Sequence, residues 1–77
     1  MNNQVFHFII RVSKSDSAFV YFQLEANEGL CFYSTLDHEE GQAYRDLDIR
    51  GALEFQDEVS RLLEFLGQSI NVEWLKK

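Results

Sequence analysis

The sequence predicts an α+β domain in the order βαββαβ, with two helices covering one face of a four-stranded antiparallel sheet. Three observations carry that prediction. Residues 4–13 (QVFHFIIRVS) alternate Phe6, Phe8, Ile10 and Val12 with a mixed set, Val5, His7, Ile9 and Arg11, as a strand with one buried face does. Residues 51–67 (GALEFQDEVSRLLEFLG) place Phe55, Val59, Leu62 and Leu66 at helical spacing, with Leu63 beside them. Between these segments, LCFYSTL and QAYRDLDIR flank the polar stretch DHEEG, the pattern of a hairpin.

Each element has its own justification. The first strand is apolar on one side and half-apolar on the other, which suits a central position in the sheet. Ser13–Ser17 (SKSDS) is a break rich in helix-capping side chains. Residues 18–28 favour a strand by local propensity, but their length and the following Gly29 suit a helix. The topology also needs one there. Its inner face is expected to be Phe19, Phe22 and Ala26, flanked by Ala18. The second strand, Leu30–Leu36, should turn Leu30, Phe32 and Leu36 inward. The turn Asp37–Gly41 leads to the third strand, Gln42–Arg50, with Ala43, Leu47 and Ile49 inward and Arg45 as the misfit. Gly51 is expected to cap the second helix with Glu54 in the third position, and Gly67 to take the left-handed conformation after its last turn. Ile70–Leu75 completes the sheet with Ile70, Val72 and Trp74 inward. Right-handed crossovers and a central hairpin give the split-βαβ, ferredoxin-like arrangement, in one domain spanning residues 1–77.

Composition narrows the function classes. The chain has 77 residues, a net charge of −6 and eleven aromatic rings (seven Phe, three Tyr, one Trp). A core this small cannot hold them all, so an exposed apolar patch and a homodimer or protein partner are expected. Thirteen acidic against seven basic residues repel phosphate backbones and anionic bilayers, which argues against nucleic acid and membrane partners. Cys31 is the single cysteine, so neither an internal disulfide nor a thiolate metal cluster is expected. No apolar run reaches the ~18 residues of a membrane span, and nothing resembles a signal peptide. A cytoplasmic protein is the expectation.

The open sheet face is the first candidate site. It should present His7, Ile9, Arg11, Cys31, Tyr33, Thr35, Tyr44, Asp46, Asp48, Arg50, Asn71, Glu73 and Leu75. Of these, His7, Ile9, Arg11, Tyr33 and Tyr44 are the candidate interface. The plainer reading is a solvated sheet with cross-strand pairs such as Arg11 with Asp46 or Asp48. RNA-recognition modules of this topology stack bases on strand aromatics, but AYRDLDIR lacks their glycine–aromatic signature. Acylphosphatases need an anion-cradling loop after the first strand, and SKSDS has no glycine to form it. Asp37, His38, Glu39 and Glu40 are consecutive and do not converge on one ion, CxxC is absent, and no cofactor is implied. Asp46 and Asp48 have no pocket to raise a carboxylate pKa, so no catalytic residue is assigned. The second candidate is Ser13, Lys14, Ser15 and Asp16, whose amides and hydroxyls could hold a small anion or an amino-acid carboxylate. The topology resembles that of ACT-type regulatory modules, which use the corresponding loop.

The run FVYFQLEANEGLCFYSTLD, followed by a turn glycine, resembles a small bacterial family, domain of unknown function 4911. The matching residues are Glu25, Ala26 and Gly29 at the helix end, and Thr35, Leu36 and Asp37 at the strand end. The resemblance implies a helix before Gly29 and brings no activity with it. The expectation is a non-catalytic interaction or regulatory module that self-associates. One alternative is a small-ligand sensor at residues 13–17. The other is an acidic inhibitor that occupies a nucleic-acid site on a partner.

Overall fold

A computed structural model describes residues 4–27 and 29–77. The order is β1 (Val5–Ser13), α1 (Lys14–Ala26), β2 (Phe32–Thr35), β3 (Tyr44–Ala52), one 3-10 turn (Leu53–Phe55), α2 (Gln56–Leu66) and β4 (Glu73–Lys76). The strands form one antiparallel sheet in the order β2-β3-β1-β4. This is the ferredoxin-like arrangement that the patterning predicts, with the first strand central.

The core follows the two clear periodicities. Phe6, Phe8, Ile10 and Val12 of β1, Leu47 and Ile49 of β3, and Val59, Leu63 and Leu66 of α2 are all buried. Leu62, Phe55, Ile70, Val72 and Trp74 pack around them. Trp74 meets Phe8 edge-on at 5.2 Å, which ties the last strand to the first.

Five expectations are corrected. Helix α1 begins at Lys14 rather than Ala18, so Ser13–Ser17 is a strand end plus a first helical turn and not a loop. Its expected end, Glu28, lies outside the described residues. Its inner face is Val20 and Leu24, while Phe19 is 41% and Phe22 68% exposed. Branched aliphatic side chains fill the thin space under the helix, and the rings stay outside. Strand β2 is turned over: Tyr33, in register with buried Ile49, lies on the helix-covered face, and Phe32 is 83% exposed. Gly51 belongs to β3 rather than capping α2, and the space there admits no side chain, since a Cβ would sit 2.6 Å from the Leu30 carbonyl oxygen. Gly67 has right-handed backbone (φ −63°); the left-handed glycines are Gly29 (φ 94°) and Gly41 (φ 89°), where the chain turns around β2.

Candidate functional site

The face of the sheet opposite the helices is built by the outward residues of β1 and β3. Arg11 faces Asp46 across the strands, Ile9 faces Asp48, and His7 faces Arg50. The Arg11 guanidinium donates to both Asp46 oxygens, at 2.8 and 3.0 Å, and lies 3.9 Å from the Tyr44 ring centroid. Asp48 is bonded by His7 Nε2 and receives Arg50 Nε at 2.9 Å. Lys76 Nζ is 2.7 Å from His7 Nδ1. An ammonium only donates, so Nδ1 accepts and Nε2 carries the hydrogen given to Asp48. Burial works against the Asp48 charge, but the bonds from His7 and Arg50 outweigh it and hold the carboxyl below its ordinary range.

A histidine beside a carboxylate is the geometry of an oriented base. Here both ring nitrogens are occupied, and no hydroxyl or thiol is bonded to the ring. Arg11 and Arg50 are likewise spent on carboxylates, and Lys76 on the imidazole. Of the expected interface residues, His7, Ile9, Arg11 and Tyr44 share this polar face, and Tyr33 does not.

Residues 13–17 form a cap. Ser13 Oγ accepts from the Asp16 amide (3.2 Å) and donates to Asp16 Oδ2 (2.9 Å), with Ser15 Oγ 3.0 Å away. Ser17 Oγ donates to the Lys14 carbonyl, and the Lys14 amide donates to Ala43. The three serine hydroxyls of this turn are therefore engaged in starting α1 at the end of β1. Asp37–Glu40 lies exposed in the β2–β3 connection, and among the described residues no three His, Cys, Asp or Glu side chains are grouped to hold a metal ion.

The apolar surface lies elsewhere, at the β2 side. A groove of about 610 Å³ opens between Leu24 and Glu25 of α1, Leu30 and Tyr33, and Phe55 before α2. A second, of about 760 Å³, lies beside it between Val5, Arg50 and Leu53, and Phe32 lines both. Val5 is 57% exposed. Tyr33 stacks on Tyr21 at 5.3 Å, its hydroxyl donates to Glu25, and the Tyr21 hydroxyl is bonded to Thr35. The bond to Glu25 pushes the Tyr33 pKa up to about 12. Burial pushes the Cys31 thiol up, which makes it a poor nucleophile. The sequence signal for this surface is weak, because Cys31-Tyr33-Thr35 reads as the more polar set of β2. Only a tyrosine's capacity to sit at a margin, ring inward and hydroxyl satisfied, marks it.

The family model described as a domain of unknown function, DUF4911, matches residues 10–70. Neither a curated protein nor a solved structure matches the chain.

Proposed function

The chain belongs to the DUF4911 family, and we propose that it acts as a non-catalytic interaction module that self-associates through its β2 side. The observation that supports this is Phe32, a large ring left 83% exposed between two adjoining apolar grooves. The polar face offers less, since its histidine, arginines and carboxylates already satisfy one another. The cap at residues 13–17 likewise has its hydroxyls engaged, which favours self-association over a ligand sensor at that turn. Nucleic-acid mimicry would use the acidic connection Asp37–Glu40, which has no apolar anchor beside it comparable to Phe32.

The test is native mass spectrometry of the wild type and Phe32→Ser from low to high micromolar concentration. An exposed ring contributes little to the monomer, so Phe32→Ser should keep its stability within ~0.5 kcal/mol while losing the dimer. A wild type that stays monomeric throughout refutes the proposal. A retained small mass would instead mark the groove as a ligand site.

A further inference from the structure

Resting on that self-association reading, we propose that the seam is the free edge of β2, paired antiparallel with the same strand of a second copy about a twofold axis. The two sheets then join into one continuous sheet. The phase of β2 fixes which backbone groups are available. The Leu36 amide donates to the Asp46 carbonyl at 2.8 Å, and the Phe32–Arg50 and Ser34–Asp48 pairs share its parity. Phe32, Ser34 and Leu36 therefore turn their backbone groups toward β3. The N–H and C=O of Tyr33 and Thr35 point away from the sheet, with Cys31 continuing the row.

An exposed row of this kind is a template for another strand, and proteins guard such edges with charges and bulges. The opposite edge, β4, carries Glu73 and Lys76 and pairs with β1 through a register shift. The β2 edge carries neither. From Gly29 to Leu36 there is no carboxylate and no base, so a second copy brings no like charge into line although each chain carries −6. A partner of different sequence would need an uncharged strand of its own, and this chain already supplies one.

Centring the pair on Tyr33 sets Tyr33 opposite the partner's Tyr33 and Cys31 opposite the partner's Thr35 on the helix-covered face. On the open face Phe32 meets the partner's Ser34, with the partner's Phe32 on the diagonal at ~7–8 Å, within reach of an aromatic side chain. The most exposed ring of the chain is thereby covered. Glu25, the one charged residue lining the first groove among the described residues, is held by the Tyr33 hydroxyl beside this seam.

The test combines a backbone variant with a cross-link. Thr35→Pro removes an outward amide without touching the β3 ladder, and should weaken the dimer about tenfold or more. Thr35→Cys should form a covalent dimer with the native Cys31 thiol under mild oxidation, because directly paired residues sit about 5.5 Å apart, within disulfide reach. Glu73→Cys, on the other edge, should not. A dimer that survives Thr35→Pro, fails to cross-link through Thr35→Cys, or cross-links equally through Glu73→Cys places the seam elsewhere and overturns this inference while the self-association reading stands. Should the proline variant unfold, the two cysteine variants decide alone. A wild type that never dimerises removes both.

Discussion

Gly51→Ala is the sharpest test of how the sheet is closed. Gly51 sits near the end of β3, opposite Phe6 of β1. An added Cβ would lie 2.6 Å from the Leu30 carbonyl oxygen and 2.6 and 2.9 Å from the Cε2 and Cζ atoms of Phe6. Phe6 is 3% exposed and packs on Phe8 with ring centroids 4.9 Å apart, so it cannot swing away freely. The Leu30 oxygen is backbone and cannot rotate out of the way at all. Overpacking a core by one carbon costs about 1–3 kcal/mol, and two such contacts place this substitution near the top of that range. At roughly 0.05–0.15 kcal/mol per residue, a chain of this length has only ~4–12 kcal/mol in total. The melting temperature should fall by roughly 10–20 °C. Urea unfolding followed by the fluorescence of Trp74, the single tryptophan, measures the change. Gly29→Ala serves as the comparison: its backbone is left-handed (φ 94°) but nothing lies within 4 Å of the new atom. It should cost only about 1–2 kcal/mol of conformational strain. A Gly51→Ala protein within ~0.5 kcal/mol of the wild type would refute the close approach of the Leu30 backbone.

The polar face and the tyrosine pair make further predictions. The folded-state pKa of Asp48 is depressed, so its contribution to stability is present above the ordinary carboxylate pKa and is lost as pH falls through the folded value. Wild type should therefore lose more stability than Asp48→Asn as the pH is lowered from 5 to below 3.8, measured by urea titration. Tyr33 should ionise near pH 12 in an ultraviolet titration, and Glu25→Gln should lower that value. A double-mutant cycle of Arg11→Ala with Asp46→Ala should give a coupling of about 0.5–1 kcal/mol at low salt, shrinking as salt is raised.

The fold was legible where one periodicity dominated. Phe6-Phe8-Ile10-Val12 declared its buried face because the alternate set of that strand carries His7 and Arg11, and in α2 Val59 and Leu66 of the expected stripe are buried, with Leu63 rather than Leu62 the fully buried residue between them. A cross-strand pair of Arg11 with Asp46 or Asp48 was legible too, and the register selects Asp46. Helix α1 and strand β2 were harder, since aromatics occur on both of their faces. In α1 the four residues Phe19, Val20, Tyr21 and Phe22 span more than one helical turn of choices, and only the space above the sheet selects Val20. In β2, hydrophobicity favours Phe32 inward, but the side toward α1 offers Tyr33 a partner ring in Tyr21 and an acceptor in Glu25. Gly51 was misread for a related reason: its absent side chain serves a tertiary contact with Leu30, which no local pattern announces. The candidate surface was displaced with β2, because turning that strand over moves Tyr33 off the open face and puts Phe32 on it.

Sedimentation equilibrium of the unmodified chain tests self-association most directly. Pairing through the β2 side predicts a mass that rises with concentration from 9.1 kDa toward twice that value through the micromolar range, with Phe32→Ser held at the lower mass. A wild-type mass fixed at 9.1 kDa into the high micromolar range would contradict it.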